Sequence, residues 1–176
     1  GTVTPDDMYR YKKAAPDATF GFYTGVNLGN FDLSLGARAM VGNYVYNNNL
    51  ASQGVYDFVY NSSGGSGGGY LNNVDSQTEA LDINTPRYFS DHYVQDGSFL
   101  RIDHITAGYD FGNIGSAISS FRLSITAQNP LLITGYDGID PEIASRDITT
   151  NSVGFGIDNN IYPRSRTFLL GLNVKF

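Results

Sequence analysis

The chain has 176 residues, with 13 Tyr, 11 Phe and 21 Gly, no Cys and no Trp, and 11 Lys and Arg against 17 Asp and Glu for a net charge of −6. The missing cysteines exclude a disulfide framework and a thiolate metal site; an acidic chain whose densest basic spot is Lys12-Lys13 cannot track a phosphate backbone, so nucleic acid is not a partner. Aromatic and Gly content argues for strands and turns over helices, and no run approaches the ~18 apolar residues of a spanning helix.

Read in chain order for alternation, residues 18–28 place Phe20, Phe22, Val26 and Leu28 on one face and Thr19, Gly21, Tyr23, Gly25 and Asn27 on the other. Gly29-Asn30 is a tight turn into 31–41, where Phe31, Leu33, Leu35, Ala37, Ala39 and Val41 alternate with polar or small residues, so the two runs form a hairpin. In 98–111 the phase changes: Leu100 and Ile102 share one parity, whereas Ile105, Ala107, Tyr109 and Phe111 share the other. One extra residue near Asp103-His104 restores a single apolar face and predicts a bulge there. Residues 112–117 read as a turn, 119–129 as a strand with Phe121, Leu123, Ile125 and Ala127 on its apolar face, and 166–176 as the last strand, with Phe168, Leu170, Leu172, Val174 and Phe176 in phase.

The connections alternate between short (29–30, 112–117) and long (42–97, 131–165). In an up-and-down antiparallel sheet successive connections lie at opposite ends, so all the short ones share one end; short turns opposite long loops are the pattern of an outer-membrane barrel. Each run has about 11 residues, against ~5–6 for an ordinary strand and ~9–11 for a tilted spanning one. The fold class is therefore all-β, an antiparallel up-and-down transmembrane β-barrel segment of about five strands. A soluble β-sandwich, a surface-attached binding or adhesin module whose apolar faces meet each other, has the same alternation and stays open at this point. The charged opening residues contain no apolar signal-peptide core, so an export signal is expected upstream of Gly1.

Several stretches, in order, resemble the SusC-like TonB-dependent outer-membrane transporters of Bacteroidetes: Gly97–Tyr109 (GSFLRIDHITAGY), Thr126–Asn129 (TAQN), Tyr136–Glu142 (YDGIDPE), Gly156–Asp158 leading into Tyr162–Phe168 (YPRSRTF), and the tail Gly171–Phe176 (GLNVKF). Residues 11–21 (YKKAAPDATFG) resemble the lead-in to that family's preceding hairpin. The resemblance implies a plugged barrel of the 22-stranded size, of which residues 1–176 are the C-terminal part, with the plug domain absent. It also implies uptake of oligosaccharides or peptides energised through TonB and the plug, a SusD-like surface lipoprotein acting as a lid, and no catalysis. Phe176 resembles the terminal aromatic read by barrel-assembly machinery, with Gly171 one place off that signal's usual spacing. With a periplasmic C-terminus in the outer membrane, loops 42–97 and 131–165 are external. Partners are then the remaining barrel and plug, and outer-membrane lipid facing Phe20, Phe22, Leu33, Leu35, Phe121, Leu123, Ile125, Leu170, Leu172 and Val174.

Candidate sites each have a bland counterpart. Tyr44, Tyr46, Tyr56, Phe58, Tyr60 and Tyr70 crowd the first long loop, and with Tyr136 they could stack a ligand or meet the lid; loop self-packing and interface girdles explain the same residues without a ligand and are the favoured reading. Asp137, Asp140 and Glu142 are spaced as calcium could accept, but a turn stabilised by Asp side chains is the favoured reading, with no cofactor. His92 and His104 are too scattered for a zinc set or a triad. Arg38, Arg101 and Arg122 with Asp32 and Asp103 read as a polar network on the wet face of a barrel. The Gly/Ser tract at 62–69 is low in complexity and lacks the Lys of a phosphate loop.

Overall fold

A computed structural model describes residues 4–55, 60–61, 70–71, 89–146, 153–159 and 161–176. Its strands are β1 (Ala18–Leu28), β2 (Phe31–Val41), β3 (Tyr44–Asn47), β4 (Tyr60–Asn61), β5 (Tyr70–Leu71), β6 (Val94–Asp96), β7 (Phe99–Ile114), β8 (Ile118–Thr134), β9 (Ala144–Arg146), β10 (Val153–Phe155), β11 (Ile157–Asp158) and β12 (Thr167–Lys175), with one short helix α1 (Asn48–Gln53). Two compact units result. One is a five-stranded sheet of order β1-β2-β7-β8-β12, antiparallel throughout. The other gathers the segments Gly1–Ala15, Asn43–Asp96 and Tyr136–Tyr162.

The sheet is two-faced because strand alternation and register agree across all five strands. Val26, Leu33, Ala107, Ile125 and Leu170 form one continuous cross-strand row, and Leu28, Phe31, Tyr109, Leu123 and Leu172 form the next. All ten residues expected to face lipid lie on this side. Phe20 and Phe22 are 59% and 60% exposed and Leu170 is 75% exposed. Among the described residues no second apolar layer covers this face, as a sandwich would require. Tyr109 meets Phe111 edge-on at 4.8 Å, and Phe111 lies tilted against Phe121 at 5.4 Å, beside the short turn.

The opposite face is polar and small. Thr106 and Thr126 share a hydrogen bond of 2.9 Å across β7 and β8. Arg38 on β2 pairs with Asp103 on β7 at 3.2 Å. Arg122 on β8 reaches past β7 to Asp32 on β2, donating to Oδ1 at 2.8 Å and to Oδ2 at 2.7 Å. The ion pair runs diagonally over Gly108, which is paired with Asp32 on β2 and with Ser124 on β8, and a Cβ there would overlap both the guanidinium and the carboxylate. Glycine is thus what lets this ion pair bridge three strands. The pair is about a third exposed, so water and salt screen it and it adds little by itself. Gly108→Val is expected to destabilise the sheet by about 1–3 kcal/mol, since it overpacks the row as well as displacing the pair. Thermal unfolding in detergent checks the order: Arg122→Gln more damaging than Gly108→Val would contradict it.

The expected bulge is present. Gly36 and Ala37 are consecutive on β2, yet their partners on β7 are His104 and Ile102, leaving Asp103 as the extra residue. Three strands differ from expectation in their bounds. Strand β8 runs through Pro130 to Thr134, where a break at 129 was expected. Proline is tolerated there because the β7–β8 register shifts between Ile102 and His104, opposite Asn129-Pro130, and β12 pairs no further along β8 than Gln128. Strand β7 continues to Ile114, absorbing Gly112 at φ 69° as a second irregularity, so the turn shrinks to 115–117. Strand β12 is shorter by one residue at each end.

Candidate ligand and partner surface

The second unit is built on β3. Alternation along Tyr44-Val45-Tyr46-Asn47 buries Val45 and Asn47 and leaves the two tyrosines partly exposed. Val45 packs with Tyr136, Ile143 and Ile161. β3 pairs with β6 antiparallel and with β11 parallel, so it has a neighbour on both sides. Asn47 caps α1, its Oδ1 accepting from Leu50 N–H at 2.9 Å.

Beneath lies a buried polar centre. Asp158 is fully buried; its Oδ2 accepts from the Tyr136 hydroxyl at 2.7 Å and its Oδ1 from the Asn49 amide at 3.2 Å. Burial, then the hydrogen bond to Asp158, push the Tyr136 phenol well above its usual range. Tyr136 was expected among the exposed aromatics and is instead a support: it is buried and its hydroxyl is occupied. Gly138 is seated against its ring, where a Cβ would overlap the phenol.

Tyr44 and Tyr46 are differently engaged. The Tyr44 ring lies 4.7 Å from Lys12 Nζ, which is also 5.4 Å from the Tyr11 ring, and Tyr44 N–H donates to the Lys13 carbonyl at 3.1 Å. Tyr46 stacks on Phe89 with centroids 6.4 Å apart and meets Tyr93 edge-on at 6.2 Å. Tyr9 donates to Asp91 Oδ2 at 2.7 Å, and that hydrogen bond raises the pKa of its phenol. Tyr60 and Tyr70 lie on the paired strands β4 and β5. Tyr56, Phe58 and the 62–69 tract fall outside the described residues.

The carboxylates of the calcium candidate go separate ways. Asp137 Oδ2 accepts from Gln95 Nε2 at 3.3 Å, and buried Asp140 accepts from Glu142 N–H at 2.9 Å in a tight turn. Among the described residues no three His, Asp or Glu side chains converge on a point. Sequence reasoning missed Asp158, Phe89, Tyr9 and Tyr11. Of these, Tyr9 and Tyr11 carried a signal, two aromatics flanking basic residues near the start of the chain. Phe176 follows the end of β12 and is exposed.

No family model matches the chain. It is 38% identical, over its whole length, to the TonB-dependent receptor SusC of Bacteroides thetaiotaomicron and covers 17% of that receptor. It is 29% identical, again over its whole length, to TonB-dependent receptor P3 of Formosa agariphila, covering 18% of it. Among solved structures, the RagAB peptide importer in its closed-closed state superposes with a TM-score of 0.70 at 24% identity, over 99% of this chain and 19% of that one. The open-open state gives a TM-score of 0.69 at 23% identity, with the same coverage. At that identity the superpositions speak for the fold, and the identity to SusC speaks for descent. The chain spans less than a fifth of the length of these relatives, and it belongs to the SusC-like TonB-dependent receptors as an antiparallel segment of their β-barrel.

Proposed function

We propose that the chain is part of an outer-membrane transporter that takes up oligosaccharides or peptides with energy delivered through TonB, with no catalytic step and no cofactor. The observation that carries this is the exposed apolar face five strands wide, backed by a polar face of ion pairs and hydroxyls. Such a sheet is stable where one side meets hydrocarbon and the other a wet interior. Strands β1 and β12 are both sheet edges. Unpaired edges in lipid cost several kcal/mol per group, which supports pairing with the remaining strands of the same barrel around a plug. In this reading the short turns are periplasmic and the long connections external, where Tyr44 and Tyr46 would meet a ligand or a SusD-like lipoprotein lid.

Because the chain has no cysteine, single introduced thiols report orientation cleanly within it. In the full-length receptor, Tyr162→Cys is expected to react with a membrane-impermeant maleimide on intact cells, and Ser116→Cys only after the outer membrane is opened. Cells deleted for the receptor should lose TonB-dependent uptake of one oligosaccharide or peptide class. Equal labelling of both thiols on intact cells would overturn the orientation, and recovery of the receptor in the soluble fraction would overturn the membrane reading.

A further inference from the structure

The second unit is assembled from three separate stretches of chain, Gly1–Ala15, Asn43–Asp96 and Tyr136–Tyr162, and each is tied to another. The first is held to the second by the Tyr9 hydroxyl on Asp91 and by Tyr44 N–H on the Lys13 carbonyl. The second is held to the third by the parallel pairing of β3 with β11, by the Asn49 amide on Asp158, and by Gln95 with Asp137. All three meet at Gly156. It is buried, with φ 78°, and a Cβ there would overlap the Ala14 methyl and lie 3.3 Å from the Tyr44 carbonyl oxygen. Glycine alone tolerates both the left-handed backbone and the close approach.

Each stretch has little regular structure of its own. Helix α1 has six residues, β6 and β9 have three each and β11 has two, below the length at which a helix or a hairpin stands alone in water. Their buried groups are covered jointly. Val45 of the second stretch packs with Tyr136, Ile143 and Ile161 of the third, and Asp158 of the third accepts from Asn49 of the second. Opening one stretch therefore exposes the core of the next, and the cost of opening is shared. We infer that the three stretches open and close as one cooperative body, keyed at the contact of Gly156 with Ala14 and Tyr44. A ligand or protein that orders one stretch then orders the other two, because it acts on a single opening equilibrium.

Hydrogen exchange of the full-length receptor in detergent, followed by mass spectrometry of its peptides, tests this. Gly156→Ala puts a methyl against Ala14 and Tyr44 on a strained backbone. It should speed exchange in peptides from 43–55, 89–96 and 136–146 by one common factor, about 10-fold or more, while β1, β2, β7 and β8 keep parental rates. Ala14→Val crowds the same point from the first stretch and should speed the second and third stretches together, by about 3-fold or more. Ala15→Val, one residue along at an exposed position, should match the parent. Faster exchange confined to the peptide carrying the substitution overturns the proposal, as does acceleration that spreads to the five-stranded sheet. Should Gly156→Ala fail to assemble, Ala14→Val decides: parental rates in the second and third stretches, or rates equal to those of Ala15→Val, overturn the single body.

Discussion

Ile125→Arg is expected to destabilise the assembled barrel by about 2–4 kcal/mol, while Gln128→Arg, three residues along the same strand, should cost less than about 1 kcal/mol. Ile125 lies in the row Val26, Leu33, Ala107, Ile125, Leu170, between the aromatic cluster Tyr109, Phe111 and Phe121 beside the short turn and the Phe20 and Phe22 end of the same face. It is 54% exposed. A guanidinium there would have to sit near mid-bilayer or drag water and headgroups inward. Gln128 pairs with His104 and Thr167 on the polar face, where an added charge stays hydrated. Urea unfolding of the full receptor in lipid vesicles, followed by heat-modified gel mobility, measures both. Equal costs for the two substitutions would remove the membrane assignment of the apolar face.

The sheet was legible because a strand's two-residue period leaves a mark that survives without any knowledge of partners. Hairpin β1–β2 occupies the residues its alternation marks, and the bulge at Asp103 could be read from the parity change between Ile102 and Ile105. The extension of β8 past Pro130 was not legible. A proline ends a strand when both neighbours need its N–H, and only the register shows that β12 has already stopped pairing there. Glycines were similarly opaque: Gly108 reads as a weak strand residue until the Asp32–Arg122 pair is seen to pass over it.

The second unit was legible only as loop. Strands β3, β6 and β11 are two to four residues long, too short for a period to register, and the parallel contact between β3 and β11 joins segments more than a hundred residues apart. Tyr136 was grouped with exposed aromatics because composition cannot tell a ring that faces solvent from one that closes a core. Its partner Asp158 is a lone acidic residue in a polar stretch, and nothing local marks it as the buried acceptor of two side chains.

That buried centre makes the last expectation specific. Tyr136→Phe should destabilise the second unit by about 1–3 kcal/mol, because the change leaves buried Asp158 short of the donor 2.7 Å away while preserving shape. Asp158→Ala should cost more, since it strands both the Tyr136 hydroxyl and the Asn49 amide and opens a cavity. The pH dependence has a definite sign. Burial, then the hydrogen bond to Asp158, raise the Tyr136 pKa above the value of about 10 expected in the unfolded chain, so the native state holds this proton more tightly than the unfolded one. The hydroxyl's contribution is therefore complete below about pH 10 and falls as pH rises toward the raised native value. Limited proteolysis of the loops in the full receptor, run from pH 7 to 11, should show a gap between parent and Tyr136→Phe that is constant to about pH 10 and narrows above it. A gap that widens in alkali, or one absent at pH 7, would mean the phenol is not what holds these loops together.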